Sequence, residues 1–226
     1  MKREIVGSMS DWAGVLSEMH RQIKDGSLTL ENFIDFTEHR NPFINNPDLV
    51  QQWKQFYKKY FNLELDFSNL KIPKKQPGFN RLIIIAQGLA LNQVYNVCSQ
   101  QFTCWKYADD LDEAIVKNER ISEKSYAIWL RDRVEADEEL KNMSANDLTG
   151  KNISGITLLE RLIYELKFFD ETSKHLDVNN ITLCVGSRNS GGRVPCVSWY
   201  DGRLEVDWCR PQDADSSFRA RAVVSF

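Results

Sequence analysis

The chain has 226 residues, a net charge of −3, and 42% hydrophobic, 27% charged and 11% aromatic residues. These values exclude collagen-like, low-complexity and disulfide-knot architectures, and the length is enough to bury a real core. The slight acid excess argues against a dedicated nucleic-acid binder, which carries a clear basic surplus.

The charge is unevenly spread. Lys54 to Arg81 holds seven bases and two acids, net +5, and Asp109 to Glu139 holds eleven acids and five bases, net −6. Such dipolarity can steer partners or self-association, although two solvated faces are the simpler account. No window approaches the 18 consecutive apolar residues of a membrane helix, so no membrane partner is expected. Met1-Lys2-Arg3-Glu4-Ile5-Val6 has no apolar core behind it, so no secretory signal is expected either. The five cysteines form an odd set, which fits free thiols in a reducing cytoplasm.

Taken in order, Ser10 caps a helix to about Lys24, with Trp12, Val15, Leu16, Met19 and Ile23 at helical spacing and Gly26 as its stop. Thr29 caps a second helix, with Phe33, Ile34 and Thr37 inward, that ends before Pro42. Asn46-Pro47 opens a third, from Asp48 to Phe61. The run Ile72-Pro73-Lys74-Lys75-Gln76-Pro77-Gly78 reads as a linker over 68–80, dividing a helical module (1–67) from a mixed domain (81–226). Leu82 to Ala86 is a continuous apolar run, expected as a strand covered on both faces. A helix over Leu91 to Gln101 and a short strand at Thr103 to Tyr107 would complete a strand–helix–strand unit. Tyr126 to Arg133 is a further strand. Thr157 and Glu160 form a capping box opening a helix to about Lys174, with Leu159, Leu162, Ile163, Leu166 and Phe169 on one stripe.

The C-terminal third predicts strands. Asp201-Gly202 is a type I′ turn signal, which pairs Tyr200 with Arg203, Trp199 with Leu204, Val197 with Val206 and Pro195 with Trp208. One face then carries Pro195, Val197, Trp199, Leu204, Val206 and Trp208 toward the core. The other carries Cys196, Ser198, Tyr200, Arg203, Glu205, Asp207 and Cys209 toward water. Strands at Ile181 to Gly186 and Phe218 to Phe226 extend this to an antiparallel meander. The expected fold class is α+β: a small helical module, then a mixed domain ending in that meander.

Ser27 to Phe33 leading to His39-Arg40-Asn41-Pro42-Phe43, with Arg81 to Cys98, Tyr126 to Leu148, Gly155 to Phe169 and Asn180 to Gly191, together resemble an uncharacterised family of proteins predicted from environmental bacterial genomes. The likeness covers most of the chain, and its N-terminal stretch is similar to a short module that also precedes other sequences in such genomes. It implies a bacterial, cytoplasmic protein and carries over no activity, ligand or catalytic residue.

The candidate sites each compete with a plain structural role. Gly186 to Arg193 could hold an anion on backbone amides with Arg188 and Arg193 as forks, but it reads first as a hairpin loop. Trp53 to Phe61 interleaves aromatics with Lys54, Lys58 and Lys59, which could meet nucleic-acid phosphates; an aromatic core stripe with solvated lysines accounts for it more simply. Asp109, Asp110, Asp112 and Glu113 are oxygen-rich but lack the spacing of a calcium loop. His20 and His39 read as solvated or capping residues, and no cysteines have zinc-site spacing, so no metal site is assigned. Cys184, Cys196 or Cys209 with His175 would make a cysteine enzyme, but His175 falls near a helix C-terminus, where the dipole favours its cation. Glu205, Asp207, Asp132 and Glu135 are scattered candidate ligands of a metal-dependent nuclease. No pattern outweighs its structural alternative. The leading expectation is therefore a non-enzymatic cytoplasmic binding or interaction protein, with another protein as partner and no cofactor. A nucleic-acid-associated protein or nuclease comes next, and a cysteine-dependent enzyme third.

Overall fold

The structure, a computed structural model, describes residues 9–26, 28 and 49–226. The predicted second helix, the Asn46-Pro47 start and His39 lie outside these residues. The chain forms two compact units, 1–48 and 49–226. In the first, helix α1 (Met9–Asp25) stops at Gly26, whose φ of 78° suits a residue without a Cβ.

The second unit begins with α2 (Leu49–Phe61), whose Trp53, Phe56 and Tyr57 are all buried. Tyr57 reaches strand β1 (Arg81–Ile85): its hydroxyl donates to the Ile84 carbonyl at 2.6 Å and accepts the Ala86 amide at 3.2 Å. This helix therefore packs on the strand that follows it. The unit boundary falls at residue 48, and the expected boundary over 68–80 is corrected. The physical reason is that an aromatic stripe needs an apolar partner, and the Leu82–Ala86 run supplies it.

β1 pairs antiparallel with β4 (Tyr126–Leu130), from Arg81 opposite Leu130 to Ile85 opposite Tyr126. Trp129 of β4 exchanges amide–carbonyl hydrogen bonds with Val224 at 3.0 Å on its other edge. Helix α3 (Leu91–Gln101) leads from β1 to β2 (Cys104–Lys106), but β2 joins a different sheet. The expected strand–helix–strand unit is thus not formed, because a continuous apolar run fits antiparallel and parallel pairing equally. After α4 (Leu111–Ala114), strand β3 (Ile115–Asn118) forms a small ribbon with β6 (Ser187–Asn189).

The main sheet has the order β2-β8-β7-β5-β9, with β5 (Ile181–Leu183), β7 (Val194–Tyr200), β8 (Arg203–Cys209) and β9 (Phe218–Ala220). β5, β7 and β8 form the antiparallel meander, but the outer strands β2 and β9 run parallel to their neighbours. The β7–β8 register matches the prediction pair by pair. Asp201 and Gly202 both have positive φ, 49° and 74°, as a type I′ turn requires.

Helix α6 (Leu158–Thr172) is central. Its capping box forms as the sequence predicts, and residues 158–168 are all buried. It packs on α3, β1 and β7, so Leu162, Ile163 and Leu166 share a core with Val197, Leu204 and Val206. A second core lies where α5 (Ala145–Gly150) supplies Ala145 and Leu148 against Val194, Cys196, Cys209 and Ala220. Two expectations change here. Cys196 and Cys209 are buried, so the face expected to be wet is covered at that end. Trp208, expected in the core, is only half-buried and lies under the Arg193 guanidinium, 3.5 Å from its ring centroid.

Candidate functional site

The densest gathering of ionisable groups lies inside the second unit, and the sequence did not single it out. Arg161 and Glu165, one turn apart on α6, are 2.7 Å apart and fully buried. Asp177 receives Arg161 Nε at 3.0 Å, Arg221 Nη2 at 2.7 Å, the Thr182 hydroxyl at 2.6 Å and the Ala136 amide at 2.9 Å. Arg161 Nη2 also lies 2.9 Å from Asp177 Oδ2, off the line of its N–H bonds, so that contact is an ion pair without a hydrogen bond. Arg221 donates in addition to the Arg133 and Val134 carbonyls at 3.0 and 2.7 Å. Two cations thus face two carboxylates in a dry setting, and each group is committed to another. A further buried carboxylate, Glu160, is held by Arg120 Nε at 2.7 Å and the Tyr126 hydroxyl at 3.0 Å while it closes the capping box.

His175 sits at the edge of this cluster. Its Nδ1 is 2.9 Å from Glu165 Oε1. Its ring stacks on Trp199, with centroids 3.3 Å apart, and on Phe169, while Phe102 meets it edge-on. A carboxylate-oriented histidine resembles half of a catalytic triad, but among the described residues no hydrogen bond joins it to a thiol, since Cys98 and Cys104 point to the Leu162 and Phe102 carbonyls. Burial pushes the Cys104 thiol up to about 12, and raises Cys98 and Cys184 as well. A nucleophilic cysteine needs the opposite shift. Cys196 and Cys209 lie on the far side of the sheet in the second core, where the two neighbouring thiols shift one another, Cys196 upward and Cys209 downward.

The other sequence candidates have local roles. In the Gly186–Arg193 segment, the amides of Gly191 and Arg193 both donate to Asn189 Oδ1 at 2.9 Å, so they turn inward. Arg188 donates to the Val185 and Ser187 carbonyls at 2.6 and 2.8 Å, and Arg193 covers Trp208. Lys58 pairs with Glu64 at 2.8 Å and Lys59 with Asp170 at 2.5 Å, while Lys54 lines a 380 Å³ surface groove with Lys58, Glu64 and Asp66. Asp112 caps α3 by accepting the Leu91 and Asn92 amides at 2.7 and 3.0 Å, and Asp110 caps α4 through the Glu113 amide. Glu135 accepts from the Asn179 and Asn180 side chains at 3.1 and 2.7 Å, and Glu205 pairs with Arg203. Among the described residues, no three His, Cys, Asp or Glu side chains converge as a metal site, and no helix is long and apolar enough to cross a membrane.

The first unit has a different character. On α1, Val15, Leu16 and Ile23 are 52%, 59% and 56% exposed. They lie on the stripe the sequence predicts, while Arg21 pairs with Glu18 and Asp25 at 2.6 and 2.7 Å along the helix. His20 is exposed beside them. The helix thus turns large aliphatic side chains to solvent, where buried counterparts would each gain about 1.5–3 kcal/mol.

Compared with known protein families, curated proteins and solved structures, the chain matches none.

Proposed function

We propose that this chain is a bacterial, cytoplasmic interaction protein that works by binding another protein through the apolar face of α1. The observation that carries this reading is the exposure of Val15, Leu16 and Ile23 on one helical stripe. A helix of 17 residues in a protein draws most of its stability from packing an apolar face, and a contiguous apolar surface marks an interaction site. The interior supports binding over catalysis, because Arg161, Glu165, Asp177 and Arg221 are paired with one another. The five unpaired cysteines support a reducing compartment.

Photo-crosslinking tests the reading. A photoreactive residue replaces Leu16 and, as a control, Gly14, which lies on the opposite side of the helix and has open space around its Cβ. The expected result is a discrete cross-linked protein from position 16 but not 14, and its purified form then binds the wild-type chain and not a Leu16→Glu/Ile23→Glu variant. Cross-links confined to the chain's own residues would overturn the reading, because the stripe would then be covered from within.

A further inference from the structure

Lys106, Asn92 and Asp110 meet where β2 comes back past the start of α3. The Asn92 side-chain amide is held from both ends. Its oxygen accepts the Leu111 amide at 3.0 Å and Lys106 Nζ at 3.3 Å. Its nitrogen donates to Asp110 Oδ1 at 2.7 Å. These partners fix which end of the amide is which, because a carboxylate accepts and an ammonium donates. Lys106 Nζ also donates to the Asp109 carbonyl at 2.5 Å and lies 4.9 Å from the centroid of the Tyr95 ring. An amine thus stands beside an amide carbon, with a carboxylate on the nitrogen that would leave.

We propose that Lys106 and Asn92 join in an intramolecular isopeptide bond, with Asp110 relaying the proton and ammonia as the leaving group. Asp110 takes one proton from the Lys106 ammonium. The freed Nζ lone pair attacks Asn92 Cγ, and charge moves onto Oδ1, where the Leu111 amide already donates. The Cγ–Nδ2 bond then breaks, and Asp110 returns its proton to the departing nitrogen. The second proton of Nζ leaves with the ammonia as ammonium. The sum is a lysine ammonium and a carboxamide giving a secondary amide and an ammonium ion, with nothing oxidised or reduced.

Distance and charge support the step. The amide carbon lies one C=O bond, about 1.2 Å, beyond Oδ1, so Nζ is within about 4.5 Å of it. Attack needs about 3–3.5 Å, and the flexible lysine stem closes that gap. The Glu113 amide and the Asn92 side chain hold the Asp110 carboxyl below its ordinary range, so it is ionised and able to take the proton. Fixing the three groups side by side replaces a collision with a step inside one molecule, and a single turnover completes it. The bond pins α3 to β2, the three-residue outer strand of the main sheet. It does not involve α1, so either proposal can fail alone.

The test is mass spectrometry of the full chain after several days at about pH 9, where a larger share of a lysine amine is neutral. The chain is expected to be lighter by about 17 Da, the mass of ammonia. Chymotrypsin cuts between the two residues, at Tyr95, Phe102 and Trp105, and should release two peptides joined through Asn92 and Lys106. These wild-type readings need no variant to fold. Lys106→Arg should keep its full mass, and Asp110→Asn should slow the mass loss about a hundredfold. The proposal is overturned if the wild-type chain keeps its full mass, or if the lost ammonia maps to a succinimide within one peptide. It is equally overturned if the loss persists in Lys106→Arg, or if Asp110→Asn forms the link at the wild-type rate.

Discussion

Replacing Asp177 removes the carboxylate that two buried arginines share. With it gone, Arg161 keeps Glu165, and Arg221 keeps only the Thr182 hydroxyl at 3.2 Å and the Arg133 and Val134 carbonyls. Two cations then face one anion, leaving one buried charge without compensation. Breaking a buried pair in this way costs about 3–5 kcal/mol. The backbone adds a separate contribution, because Asp177 has φ of 54°. Asn tolerates that conformation, whereas Ala there costs roughly 1–2 kcal/mol more. Asp177→Asn should therefore destabilise by about 3–4 kcal/mol and Asp177→Ala by about 5 kcal/mol, against a total stability of about 5–15 kcal/mol. Urea denaturation reads this as a midpoint lowered by about 2 M for Asp177→Asn, at a slope near 2 kcal/mol per M. Adding Arg221→Met to Asp177→Asn restores neutrality and should recover part of the loss. A cost below about 1 kcal/mol for Asp177→Asn would show that water or another group already neutralises the arginines, and the dry cluster described here would be wrong.

Three further outcomes follow from the packing and the titrating groups. Leu204→Ala, at a fully buried core position, should cost about 2–5 kcal/mol by denaturation, and Trp208→Ala distinctly less because that ring is only half-buried; the reverse order would contradict the placement of the two sheet faces. Native alkylation followed by mass spectrometry should modify Cys104, the one partly exposed thiol, before the buried Cys98, Cys184, Cys196 and Cys209, and earlier labelling of any of those four would contradict their burial; no disulfide should form, because all five thiols are free. The Arg133 guanidinium holds the Glu139 carboxyl at about 2, below its unfolded value near 4.3. Its stabilisation is therefore complete above about pH 4.3 and is lost as pH falls toward about 2. Glu139→Gln should flatten the acid limb over that window by less than about 1 kcal/mol, since the pair is half-exposed.

The elements legible in the sequence were those fixed by short-range chemistry. Asp201-Gly202 and strict alternation gave the β7–β8 register, and Thr157 with Glu160 gave the start of α6. What was not legible depends on partners far along the chain. Arg161 and Glu165 stand four apart on a helix, a spacing that by itself does not separate a surface pair from a buried one, and only Asp177 and Arg221 make them a buried cluster. Asp112 looked like part of a solvated acidic turn, yet it caps a helix that begins 21 residues earlier. The apolar run of β1 showed that it is buried on both faces but not which strand lies beside it. On the binding side, the α1 stripe was legible by period, but its exposure was not, because an apolar period marks a buried face and an interface alike.

The exposed α1 stripe carries the proposed function, and methyl NMR with a soluble paramagnetic agent tests it most directly. Broadening of the Val15, Leu16 and Ile23 methyl signals in the free protein should be strong, while Ile83 and Ile163, which are fully buried, stay sharp. Addition of the partner identified by cross-linking should then protect the three α1 signals. If Val15, Leu16 and Ile23 are as sheltered as Ile83 in the free protein, the stripe is already covered and is not the binding surface.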